Sequence, residues 1–149
     1  MDENQFRQVL RATNPHPCAF GKAILARRCA CPLARKHHIA ERESMLCTDA
    51  NAHASCLELH DLLRHHSAFA LKHIHDEQPF THAQEMKVQC GGLLGLQRAL
   101  DGSEEIVDVA ALVEAARQKY GSVEELPYAL IIRSVAAAKV RIPSQDDKT

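Results

Sequence analysis

Apolar residues return at helical spacing along most of this chain, and the interruptions are where its cysteines gather. From Asp2 to Ala12, Phe6, Val9 and Leu10 share one helical face, and Asn14-Pro15-His16-Pro17 ends the helix because proline fixes its own φ and restricts the residue before it. Cys18 to Arg28 reads as a short helix with Cys18 at its N-terminal end, and the Cys29-Ala30-Cys31-Pro32 that follows is a break. Helical spacing resumes from Leu33 to Leu46, with Ile39 and Leu46 on one stripe. Cys47-Thr48-Asp49 then punctuates, with Thr48 or Asp49 as N-cap of the next helix. That helix is predicted to reach about His73, with Cys56, Leu59, Leu63 and Ala70 on its inner face.

Asp76 to Phe80, containing Pro79, reads as a turn. Thr81 with Gln84 forms a capping box and opens a helix that carries Cys90 near its end. Gly91 and Gly92 are predicted to stop or kink it. A further segment, Leu93 to Leu100, ends at Asp101-Gly102. Ile106 to Tyr120 is Ala-rich and helical, closed by Gly121. Ser122 with Glu125 is a second capping box, Pro127 falls early in the next helix, and Leu126, Leu130, Ser134, Val135 and Ala138 make its buried stripe. Pro143 to Thr149 is a polar tail. The fold class predicted is all-α: a single compact helical domain over 1–149 with six to seven helices, in which 18–92 is the Cys-rich metal-binding portion and 103–142 a Cys-free helical pair.

Composition agrees with a folded globule. Of 149 residues, 46% are hydrophobic and 25% charged, and the 4% aromatic content with abundant Ala and Leu favours helix over sheet. Nothing in the first residues, MDENQFRQVL, reads as a signal peptide, and no run approaches a membrane span, so the expected compartment is the cytoplasm. The net charge of −1 implies no strong electrostatic partner globally. Locally, Lys22, Arg27, Arg28, Arg35, Lys36 and Arg42 crowd one stretch, opposed within it by Glu41. That stretch reads as a solvated face or a docking patch for an acidic redox partner ahead of a nucleic-acid site, since aromatic residues for stacking are nearly absent and no helix-turn-helix pattern is evident.

The chemistry lies in six cysteines, Cys18, Cys29, Cys31, Cys47, Cys56 and Cys90, five of them between positions 18 and 56. Thiols at this density are normally disulfides, metal ligands or redox centres, with inert core cysteines as the plain alternative. Disulfide scaffolds are usually short, loop-rich and secreted, whereas this chain is long enough to bury a core of its own. Structural zinc usually draws on two close Cys pairs, and only Cys29 and Cys31 stand close together. Scattered thiols from several helices suit an iron–sulfur cluster, which needs convergent thiolates in a largely apolar shell.

Through the Cys-x-Cys at 29 and 31 and the Cys-Gly-Gly at 90–92, the chain resembles iron–sulfur proteins as a broad class, without a defined family motif. The resemblance implies a cluster that serves electron transfer, redox sensing or cluster delivery, with a protein redox or cluster-acceptor partner. A 4Fe-4S cluster is expected ahead of 2Fe-2S. Cys31, Cys47, Cys56 and Cys90 form the expected ligand set, and Cys18 and Cys29 are extra ligands, exchange ligands or bystanders. A structural zinc or interaction protein is the alternative, and a cluster-controlled nucleic-acid-binding regulator the third reading. His60, four residues after Cys56, and His16, two before Cys18, are candidate nitrogen ligands. Hydrolase, zinc-protease and phosphate-loop signatures are absent, as is a Cys-x-x-Cys redox pair, so an enzyme is not the expected class.

Overall fold

The computed structural model describes residues 2–13, 16–73, 78–100 and 102–140. The polar tail from Pro143 and the Asn14-Pro15 break lie outside the described residues, as do Asp76 of the predicted turn and Asp101. Helix α1 spans Glu3–Thr13, α2 Gly21–Leu25, α3 Ala50–Ser67, α4 His82–Met86, α5 Gly92–Leu100, α6 Val109–Tyr120 and α7 Tyr128–Ala137. Strands β1 (Ala34–Ile39) and β2 (Arg42–Cys47) form an antiparallel hairpin. The fold is thus mostly helical, with one small two-stranded sheet.

The hairpin corrects the helix expected over Leu33 to Leu46. Pairing runs from Ala34 opposite Cys47 to Ile39 opposite Arg42, and Ala40, at φ 55°, turns the chain between them. A helix here would scatter Ile39, Met45 and Leu46 among Arg35, Lys36, Arg42 and Glu43. In the hairpin, strand alternation gives two useful faces. Ile39 and Leu46 still share one, now by register, while Ala34, Met45 and Cys47 share the other. Met45 is buried and lies beside Gly21 of α2.

Helix α3 starts where its N-cap was read. Asp49 accepts a hydrogen bond from the Ala52 amide at 2.9 Å. Cys56, Leu59 and Leu63 are buried as the spacing predicts. The helix ends at Ser67, however, and Ala70 is exposed in the turn beyond it. The Thr81–Gln84 capping box forms with both reciprocal bonds.

Gly91 and Gly92 do not stop the helix. Residues Lys87–Gly91 widen into a π-helical turn and the chain continues directly into α5. The glycines serve packing instead: a Cβ at Gly91 would stand 2.5 Å from the Val135 Cα, and one at Gly92 2.7 Å from the Leu63 side chain. Backbone therefore meets backbone between this turn and α7.

Helix α6 begins at Val109 rather than Ile106, capped by Asp108, and Gly121 closes it at φ 91°. The second capping box is not formed. Val123–Glu125 is a short 3-10 turn, and Pro127 precedes α7 rather than entering it. The first turn of α7 therefore starts later than the stripe assumed, which exposes Leu130 (55%) and buries Ile131 (0%). One hydrophobic core joins Phe20, Leu59, Leu63, Val88, Leu93, Leu96, Val113 and Ile131.

Candidate metal centre

Three chain segments are stitched together around the thiols by backbone hydrogen bonds. The amide of Cys18 donates to the Met45 carbonyl (3.0 Å) and that of Cys47 to the His16 carbonyl (2.8 Å), so residues 16–18 lie along β2 on the side away from β1. The Thr48 amide and hydroxyl both donate to the Leu33 carbonyl, at 2.9 and 2.8 Å, which ties the two ends of the hairpin. Ala30, between Cys29 and Cys31, donates to the Ile106 carbonyl and accepts from the Val109 amide. The Cys-x-Cys loop is thereby clamped to the start of α6.

The result is that Cys18, Cys31, Cys47 and Cys56 line a single cavity, small at about 20 Å³, with apolar walls that include Ala19, Ala34, Ala52 and Val109. Each thiol arrives from a different element: the turn before α2, the loop before β1, the end of β2, and the second turn of α3. Cys29 and Cys90 are not among them. They line a neighbouring cavity of about 100 Å³ with Arg28, Leu93 and Glu104. Of the expected set, the structure brings together Cys31, Cys47 and Cys56, with Cys18 in the place given to Cys90. The π-helical turn carries Cys90 against Ala23 and Met86 on the far side of Cys29.

All six cysteines are free thiols. Burial pushes the Cys18 thiol up to about 11, against a hydrogen bond from the Phe20 amide that favours its thiolate, and the neighbouring Cys47 and Cys31 raise it further. Burial likewise raises Cys56 to about 12, helped by Cys18, Cys31 and Cys47. Cys29 is pushed up to about 12, first by burial and then by Cys90. Cys90 is raised by burial and eased by the Arg28 guanidinium. Without a cation, then, these groups are thiols at neutral pH. A metal that takes their protons' place removes the repulsion as well.

Local contacts hold individual thiols. The Cys47 Sγ donates to the Asp49 carbonyl at 3.3 Å, and the Cys31 Sγ lies 4.0 Å from Asp108 Oδ1. Among the described residues, no group of three or more His, Cys, Asp or Glu side chains closes around a point as the shell of a single metal ion.

The histidines divide differently from the sequence reading. His60 is buried, but its ring faces Glu85 and Phe20, not the thiols. Glu85 accepts from Arg64 Nε and Nη2 at 3.0 and 2.8 Å and from Gln89 Nε2 at 3.0 Å, and Gln89 in turn accepts from the Ala23 amide. Burial alone would raise the Glu85 carboxyl; the hydrogen bond and charge of His60, with Gln89 and Arg64, hold it down at about 2. His16 reaches the region through its carbonyl and through its ring, 5.0 Å from that of His53.

His53 was missed, although it lines the thiol cavity. Its Nε2 lies 3.0 Å from the Pro17 carbonyl, an acceptor only, so that nitrogen carries the proton. The signal was present, since His53 stands three residues before Cys56 on one helix face.

The basic stretch is partly neutralised. Lys36 pairs with Glu43 at 3.8 Å and Arg42 with Glu3 at 2.6 Å, while Arg28 donates to the Lys139 carbonyl at the end of α7. No family model, no curated protein and no solved structure matches this chain. No helix among the described residues is long and apolar enough to cross a membrane.

Proposed function

We propose that this protein binds an iron–sulfur cluster through Cys18, Cys31, Cys47 and Cys56 and serves in electron transfer, redox sensing or cluster delivery to a protein partner. The observation that carries the reading is the meeting of four thiols from four separate elements on one apolar-walled cavity. An all-thiolate donor set in a dry setting suits the soft irons of such a cluster. The thiols line a cavity rather than close on a point, and a 4Fe-4S cluster, which takes one thiolate on each of its four irons, would be held by ligands spread in that way. When bound, the cluster supplies reversible one-electron chemistry. The chain's own part is to hold four thiolates, keep water away with Ala19, Ala34, Ala52 and Val109, and fix Cys18 and Cys47 through the β2 backbone bonds.

Structural zinc is the second reading, and the small volume of the cavity is what favours it, because about 20 Å³ is the room of one water-sized sphere. Anaerobic purification separates the two. The cluster reading expects a brown protein with iron and acid-labile sulfide in comparable amounts. A colourless protein with one equivalent of zinc that loses its fold on chelation overturns it in favour of the structural role.

A further inference from the structure

A second cavity lies away from the thiols. It encloses about 620 Å³, within the range of small-molecule sites. Its walls are basic: Lys22 comes from α2, Arg64 and His65 from α3, His73 from the turn after α3, and His82 from the start of α4. Phe80 supplies an aromatic wall, with the His73 ring stacked on it at 4.2 Å and the Arg64 guanidinium 5.7 Å from its centroid.

Among the described residues Glu85 is the acidic group lining the cavity, and its charge is already met inside the protein by His60, Gln89 and Arg64. Arg64 spends Nε and Nη2 on that carboxylate, and its fork retains further N–H groups at Nη1. Lys22 Nζ stands 3.3 Å from His82 Nδ1, so the ammonium donates to the ring and fixes two basic groups side by side. Three chain segments thus aim cationic and N–H-bearing groups at one ligand-sized space, with a ring beside them.

We propose that this cavity binds a small phosphate-bearing ligand. A phosphate accepts several hydrogen bonds at once and carries the charge that Lys22 and Arg64 would match, with the ring N–H groups of His65, His73 and His82 as further donors. The ring of Phe80, backed by His73, offers a stacking face to a base or other flat group attached to the phosphate. None of these residues lies in the thiol cavity, so the site stands or falls apart from the metal reading.

Calorimetric titration of the full chain as purified, with inorganic pyrophosphate as the probe, tests it. Saturable one-to-one binding is expected at pH 6, weakening with added salt because the contacts are between charges. Lys22→Ala and His73→Ala should each weaken binding about tenfold with an unchanged circular dichroism spectrum, and Arg133→Ala, exposed on α7, should not. A nucleoside diphosphate that binds more tightly than pyrophosphate assigns a ring-bearing ligand; equal affinities assign the phosphate alone. Absence of saturable binding at pH 6, or equal binding by the parent, Lys22→Ala and His73→Ala proteins, overturns the proposal.

Discussion

Residues 16–47 and the α5–α7 region reach order by different means. The first contributes few large buried side chains, chiefly Phe20, Ile39 and Met45, and depends on cross-chain hydrogen bonds between short segments. The second buries Leu93, Leu96, Val109, Leu112, Val113, Leu126, Ile131 and Val135, and its glycines let helices touch at backbone distance. The helical region supplies most of the apolar core, whereas the loops that meet at four thiols have little buried apolar surface to hold them. The thiols therefore stand where a bound centre would contribute most to order.

The sharpest way to break that contrast is to remove single thiols. In anaerobically prepared protein, Cys18→Ser, Cys31→Ser, Cys47→Ser and Cys56→Ser should each lose most of the metal, since a hard hydroxyl is a poor substitute for thiolate. Cys29→Ser and Cys90→Ser should keep most of it, because both line the neighbouring cavity. Hydrogen exchange on the stripped protein should show the amides of Cys18, Cys47 and Thr48 losing protection while α5–α7 keep theirs. Equal metal loss at all six positions, or uniform loss of protection, would erase the division between the two regions.

Glu85 sits at the seam, joining α3 through His60 and Arg64 to the π-helical turn through Gln89, and α2 through the Ala23 amide. Glu85→Ala leaves His60 buried without its partner and should cost about 3 kcal/mol in chemical denaturation. The pH dependence has a definite sign. The folded carboxyl, at about 2, lies below its ordinary value of 4.5, so its contribution is full above that value and is lost as pH falls towards 2. A Glu85→Gln protein should show a flatter loss of stability over that interval. An unchanged acid limb would mean that the network does not hold α3 to the π-helical turn.

Much of this division is legible in the sequence, and the failures have physical causes. The inward face of α3, the Asp49 cap, the Thr81–Gln84 box and the Gly121 stop all rest on interactions between residues a few positions apart, which local spacing reports. The hairpin was misread because Ile39 and Leu46, seven apart, fit a helical stripe and also one face of a hairpin with a two-residue turn. Cys90 was placed ahead of Cys18 from spacing and placement alone, beside a Gly91-Gly92 read as a helix stop or kink. The room these glycines make is for the α7 backbone, which is distant in sequence. Of the four thiols in the cavity, Cys31 and Cys47 were found from their position at breaks and Cys56 from the inner face of its helix, while Cys18 needed the pairing of residues 16–18 with β2.

Gly91 measures the helical side of the comparison. A Cβ there would meet the Val135 Cα at 2.5 Å and the Ser134 carbonyl oxygen at 2.6 Å, both backbone atoms that cannot swing away. Gly91→Ala should therefore force α7 outward and cost about 2–3 kcal/mol, as overpacking does. Metal content should stay near that of the parent, because the four-thiol cavity has no wall on the π-helical turn or α7. A Gly91→Ala protein with full stability would show that the two helices separate freely and that their close contact is not what orders this half.

The smallest expected effect falls where the two regions touch, at Asp108. Its carboxylate accepts from the Ala111 amide at 3.0 Å as N-cap of α6 and lies beside the Cys31 thiol. Asp108→Ala removes the cap and should cost about 1 kcal/mol, read as a lower denaturation midpoint. Asp108→Asn keeps a capping oxygen and should hold stability within about 0.5 kcal/mol while removing a negative charge next to Cys31. If Cys31 is a thiolate ligand, that lost repulsion strengthens metal retention against a chelator, so the Asn protein should release metal more slowly than the parent. Cap and charge are then separated: stability follows the cap on the helical side, and metal release follows the charge on the thiol side. Identical release from the parent and Asp108→Asn proteins would place Cys31 outside the influence of α6 and leave the clamp at Ala30 as the link between the two regions.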